Sequence, residues 1–226
     1  MNSTEPSGTP LGDKLRALHL DAFAQSFERL AQNDPERAAL VAPFLETMVD
    51  EEATKKSAAR IKRCIQEAHF IRIQTIDTFD FEYNASTKAL KKRYLQLFGA
   101  DLEKEAVGAL FIGNAGLGKT HLARALGYGA CQHKHSVLFL PCATLLNRLV
   151  AAEATRDLER LTKKLLSPTL LIIDELAYMS MSQQEANLFF HVISSLSPMM
   201  PLDKKASRQT GTGTPVLTVP AESRTG

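Results

Sequence analysis

The chain has 226 residues, 44% of them hydrophobic and 23% charged, with a formal net charge of only +2. That composition supplies ample apolar material for a core and excludes a fully disordered chain. It shows no fibrous bias, and no run of about 18 apolar residues suited to crossing a membrane is present. Cys64, Cys131 and Cys142 are widely spaced without a C-x-x-C, so neither a disulfide framework nor a zinc site is suggested. The first residues lack the basic start and apolar run of a secretory leader, and a reducing, cytoplasmic setting is expected.

Residues 1–10 read as a polar tail without order. Leu11, Leu15, Leu18 and Ala22 then fall on one helical stripe, continued by Phe23, Phe27 and Leu30. Asn33-Asp34-Pro35 reads as a helix stop followed by a new cap and a first-turn proline. A second stripe follows at Leu40, Val41, Phe44, Leu45, Met48 and Val49, with Pro43 expected to break it. The pattern continues through the basic stretch 53–69, so residues 11–84 are expected to form a small helical N-terminal region ending in a linker at 79–84.

Ser86 is expected to cap a helix over 87–98, which Gly99 ends. Residues 85–196 are then expected to form a separate core. Strands are predicted at 107–112, 136–140 and 169–173. Helices are predicted at Lys119–Gln132, 143–152, 155–166 and Gln183–Leu196. Such alternation implies an α/β fold with a parallel sheet covered on both faces. Beyond Leu196 no periodicity survives, and 197–226 is expected to be disordered.

Gly113-Asn114-Ala115-Gly116-Leu117-Gly118-Lys119-Thr120 matches G-x-x-x-x-G-K-[ST] at every fixed position. Glycines let such a loop curl so that successive backbone N–H groups face phosphate oxygens, and the following helix adds its positive N-terminal end. Lys119 then reaches the outer phosphates and the Thr120 hydroxyl is a Mg²⁺ ligand. A predicted strand enters the loop and a predicted helix leaves it, the context a phosphate-binding loop requires. The apolar run Leu170-Leu171-Ile172-Ile173 ends in Asp174-Glu175. Asp174 is expected to hold Mg²⁺ from the end of a neighbouring strand, and Glu175 to polarise the water that attacks the γ-phosphate. Two adjacent carboxylates favour a hydrolase over a small-molecule kinase.

Lys56, Arg60 and Arg63 recur at helical spacing, flanked by Lys55 and Lys62, with Ile61, Ile65 and Ala68 on the opposite face. Lys88, Lys91, Lys92 and Arg93 form a second basic patch. Both suit phosphate-backbone contacts on nucleic acid, and both also read as solvated helix faces. His133 and His135 lack neighbouring ligands for a metal, His121 reads as structural, and the three cysteines read as small buried hydrophobes.

The run 110–123 through Gly-Lys-Thr-His-Leu-Ala, the segment Asp174-Glu175-Leu176-Ala177-Tyr178, the stretch 185–190 and the linker 76–81 together resemble the IstB-like transposition helper ATPases. These are relatives of the DnaC-type helicase loaders within the AAA+ class. The resemblance spans about residues 11–194. It implies an ATP-dependent helper of an insertion-sequence transposase that binds double-stranded DNA non-specifically, self-associates through its ATPase core and hands target DNA to a cognate transposase. It places the DNA-binding expectation on Lys55, Lys56, Arg60, Lys62 and Arg63. The familiar pattern stops near 194–196. The strand with a polar sensor residue and the trans-acting arginine that the family carries next have no counterpart in 197–226. Val216-Leu217-Thr218-Val219 is too short and too late to be expected to stand in for that strand. The expectation is therefore an AAA+ core incomplete at its C-terminal end, as in a truncated or frameshifted product, which binds ATP and hydrolyses it poorly. The competing readings are a nucleotide-gated interaction module of the helicase-loader type and a non-functional fragment.

Overall fold

The computed structural model describes residues 9–100, 102, 110–112, 116–176, 180–196 and 216–218. They fall into two compact units that divide between Arg60 and Ile61. This boundary lies inside one long helix rather than at the expected linker after residue 78. From Ile61 onward Cys64 of that helix, and Ala68 just past its end, pack with Cys131, Val137, Phe139 and Ile172 of the sheet-bearing unit.

The first unit holds α1 (Pro10–Ala17), α2 (Asp21–Asn33) and the first part of α3 (Pro35–Glu67). The Thr9 side chain caps α1 by accepting the Gly12 N–H, and Pro10 occupies the first turn. Asp34 separates α2 from α3 and accepts the Arg37 N–H at 3.0 Å, as the Asn-Asp-Pro signal predicts. Leu11, Leu15, Leu18, Ala24, Phe27, Ala38 and Val49 form the core. A largely buried Glu28 carboxylate takes both of its hydrogen bonds from Arg16 Nη2 at 2.7 Å. Pro43 does not break α3, contrary to expectation. Ala38, Ala42, Leu45 and Val49 pack into one cluster on both sides of it. That burial offsets the roughly 3 kcal/mol cost of an interior proline. The second stripe also divides: Val49 is buried, whereas Leu40, Phe44 and Met48 are exposed.

In the second unit a 3₁₀ turn (Ile76–Thr78) precedes α4 (Ala85–Phe98), β1 (Leu110–Ile112), α5 (Lys119–Gln132), β2 (Val137–Pro141), α6 (Cys142–Ala154), α7 (Leu158–Leu166), β3 (Leu170–Asp174), α8 (Gln183–Leu196) and β4 (Val216–Thr218). The cap of α4 is Asn84, paired reciprocally with Thr87, rather than Ser86. Helix α7 starts later than expected because Arg156 takes a left-handed turn after α6. Strands β2 and β3 are parallel, with Val137 opposite Leu170 and Pro141 opposite Asp174. Among the described residues β1 pairs with β4 alone and β2 with β3 alone, so two short parallel sheets stand where one was expected; the arrangement is an incomplete α/β P-loop core, and α5 packs on its strands. Gly127 of α5 is required for that approach: a Cβ there would stand 2.8 Å from Ile172 Cδ1 and 2.9 Å from the Phe70 ring.

The expectation that 197–226 carries no order fails at Val216–Thr218. This segment lies parallel to β1, Phe111 opposite Leu217, and so takes the place of a neighbouring core strand. A lone strand leaves its backbone N–H and C=O groups unpaired, and the Val-Leu-Thr run supplies the partner. The rest of 197–226 and the tail 1–8 lie outside the described residues, as do 107–109 of the predicted first strand. Among the described residues no helix is long and apolar enough to cross a membrane.

Candidate nucleotide site

The site is built where β1 delivers the chain to α5 and where β3 ends. Gly113, Asn114 and Ala115 lie outside the described residues; Gly116, Leu117, Gly118, Lys119 and Thr120 lie within them. Gly116 and Gly118 have φ of 82° and 76°, values open to glycine and strained for other residues. No side chain caps α5, whose first turn begins directly after Gly118. Its N-terminal N–H groups therefore face the loop, an arrangement that receives anions. A Cβ on Gly116 would meet nothing within 4 Å, whereas one on Gly118 would stand 2.5 Å from Phe79 Cε2.

The linker backs this loop. Phe79 stacks edge-on against His121, with ring centroids 5.3 Å apart, and against Phe81 at 4.7 Å. His121 Nε2 lies 3.0 Å from the Thr75 carbonyl and 3.2 Å from Thr78 Oγ1. His121 thus ties the linker to α5, the structural role its position suggests. Tyr94 donates a hydrogen bond to the Leu122 carbonyl at 3.0 Å, fixing α4 to α5, and burial pushes its phenol well above the ordinary range.

Across the loop, Thr120 Oγ1 donates to Asp174 Oδ1 at 2.9 Å. The Glu175 N–H also donates to Oδ1, at 3.0 Å. Glu175 is exposed and holds φ at 63°, a left-handed conformation that costs a non-glycine residue about 1–2 kcal/mol. Arg124, which sequence reasoning did not single out, places Nη2 3.8 Å from Asp174 Oδ2. Its signal was available: Thr120 and Arg124 are four residues apart and share a helix face. A hydroxyl and a carboxylate oxygen are hard ligands of the kind Mg²⁺ takes, and the nearly buried Asp174 carboxylate calls for a cation, so these two residues fit that ion.

The other candidate groups lie apart from this constellation. Lys55, Arg60, Lys62 and Arg63 are exposed on α3 and make no ion pair among the described residues. Lys56 differs from expectation: its Nζ donates to the Leu18 carbonyl at 3.3 Å and lies 3.8 Å from Glu52. In the second patch Glu82 draws in Lys88 at 2.8 Å and Lys91 at 3.6 Å. Cys64, Cys131 and Cys142 are buried free thiols, and burial pushes Cys131 up to about 12. A cavity of about 470 Å³ lined by His69, Arg148 and Lys164 opens beside the starts of β2 and β3, whereas Asp174 closes the other end of β3.

A profile of IstB-like ATP binding proteins matches residues 13–199. Over 177 residues the chain is 31% identical to the ATP-binding protein of insertion sequence IS5376 from Geobacillus stearothermophilus, covering 78% of this chain and 70% of that protein. Over 180 residues it is 28% identical to the insertion sequence IS21 ATP-binding protein of Pseudomonas aeruginosa, covering 80% and 67%. The chromosomal replication initiator protein DnaA of Aliarcobacter butzleri is 29% identical over 115 residues, half of this chain and 24% of that protein.

Proposed function

Because the chain belongs to the IstB-like ATP-binding protein family, we propose that it is an ATP-binding helper of an insertion-sequence transposase, taking up ATP with Mg²⁺ and engaging duplex DNA. The observation that carries the nucleotide reading is the Thr120–Asp174 hydrogen bond beside an uncapped α5 N-terminus. In this reading residues 113–118 wrap the phosphates with backbone N–H groups and Lys119 adds a point charge to the outer phosphates. Thr120 and Asp174 would hold the metal, which would neutralise charge on the phosphates. Glu175, exposed at the end of β3, orients the attacking water and accepts its proton.

Duplex DNA is assigned to Lys55, Arg60, Lys62 and Arg63, with a smaller part for Lys56. Their support is exposure along one basic run, with no ion pair at Lys55, Arg60, Lys62 or Arg63 among the described residues. The relatives named for insertion sequences support the transposase as partner. Self-association through the ATPase core belongs to the same reading. A second reading, a nucleotide-gated protein-interaction module, is favoured by Leu40, Phe44 and Met48, which stand exposed at four-residue spacing on α3. Steeply salt-dependent duplex binding by the chain alone decides for the first.

Lys119→Ala tests the nucleotide site. Removing the principal phosphate-binding cation should weaken ATP by about tenfold or more, roughly 1.4 kcal/mol. Unchanged affinity in a fluorescent-nucleotide titration would overturn the assignment.

A further inference from the structure

Arg124 is a charged neighbour of Asp174 for which the phosphate loop has no evident use. It follows Thr120 by one helical turn, so hydroxyl and guanidinium reach the same carboxylate from one face of α5. The carboxylate is divided between them: Oδ1 accepts from Thr120 and from the Glu175 N–H, while Oδ2 faces Arg124 Nη2 at 3.8 Å. The two side chains are only 16% and 12% exposed. The guanidinium also lies over the Phe139 ring, with Cζ 5.1 Å from the ring centroid. Its Nε is buried without a hydrogen-bond partner.

A purely structural arginine at this burial would close onto the carboxylate with two short parallel bonds and leave no N–H stranded. Here the closest approach is 3.8 Å, longer than a hydrogen bond, and the guanidinium carbon lies over the Phe139 ring. The guanidinium serves Asp174 as a counter-charge while leaving the carboxylate within reach of another cation. We infer that Arg124 is a positioning residue that acts as a resident counter-cation of Asp174. It keeps the empty site near neutrality and lowers the affinity for the divalent metal below what Thr120 and Asp174 alone would give. The inference rests on the nucleotide reading above. The physical basis is that a dication beside Thr120 meets a neutralised Asp174–Arg124 pair rather than a lone carboxylate, and is repelled by a fixed positive charge in a poorly solvated site.

The test uses Mn²⁺ as the metal probe, followed by electron paramagnetic resonance on the full chain saturated with ATP. Arg124→Met keeps the stem on Phe139 without the charge, Arg124→Gln keeps a donor toward Asp174 without the charge, and Arg124→Lys keeps the charge. The two neutral variants should bind Mn²⁺ about tenfold or more tightly than the parent, and the lysine variant within about threefold of it. A folded neutral variant that binds Mn²⁺ as the parent does, or more weakly, would overturn the inference. Should both neutral variants lose their cooperative thermal transition, the parent itself decides. Its ATP complex should bind Mn²⁺ less than about tenfold more tightly than ATP does in solution, and a larger gain would sink the idea. Failure of the nucleotide reading looks different: the parent would then take up no fluorescent ATP with or without metal, overturning both.

Discussion

Thr120 and Asp174, 54 residues apart in the chain, meet through a 2.9 Å hydrogen bond from the threonine hydroxyl to Oδ1. The meeting depends on strand register. With Pro141 opposite Asp174 in the parallel β2–β3 pair, Asp174 is the last residue of its strand. A slip of one residue would turn its side chain to the other face of the sheet and away from α5. The bond also holds the hydroxyl and carboxylate together before any metal arrives.

Gly118→Ala should damage both stability and nucleotide binding. A side chain at φ 76° costs about 1–2 kcal/mol, and the added carbon would stand 2.5 Å from Phe79 Cε2. Gly99→Ala is the control, since its φ is −92° and its nearest neighbour would lie 3.5 Å away. Urea denaturation and ATP titration of the two variants should separate them, with loss confined to Gly118→Ala.

Replacing Arg60 and Arg63 together with Gln should flatten the salt dependence of duplex binding by up to about two counterions' worth, on all sequences alike. Lys56→Gln should add less, because Lys56 Nζ is already engaged by the Leu18 carbonyl and Glu52. Fluorescence anisotropy against salt reads the slopes; a double variant with the parent's affinity and slope returns this run to a solvated face.

Turnover should depend on Glu175, which stands exposed at the end of β3 where it can aim a water at the γ-phosphate. Steady-state phosphate release at saturating ATP, with Glu175→Gln as the blank, measures this. A rate of about 1 s⁻¹ abolished by that substitution would show a complete hydrolytic site.

Acid should loosen the start of α8. The Ser182 N–H and hydroxyl both donate to Glu185 at 2.8 Å and hold its carboxyl below the ordinary 4.5. Because the folded value is depressed, this stabilisation is fully present above that ordinary value and fades as pH falls through the lower, folded one. Thermal midpoints of the parent should therefore drop between about pH 6 and pH 3 by more than those of Glu185→Gln. Equal drops would show that the cap does not contribute.

What could be read from sequence here was whatever short-range physics dictates. The glycine spacing ahead of Lys119 sets a loop that only glycine tolerates at Gly116 and Gly118, and the bounds of α5 follow from it. The Asp34-Pro35 restart and the apolar run into Asp174 are equally local. Tertiary structure decided the rest, because the deciding partner was remote. Pro43 stays inside α3 since residues on both sides of it share one core with α1 and α2. Val216–Thr218 becomes a strand since β1 offers an open edge more than a hundred residues earlier. Phe79 closes on Gly118, and Arg124 turns toward Asp174, only once the linker, α5 and β3 have packed. No residue type by itself announces a contact whose energy comes from what the fold brings beside it.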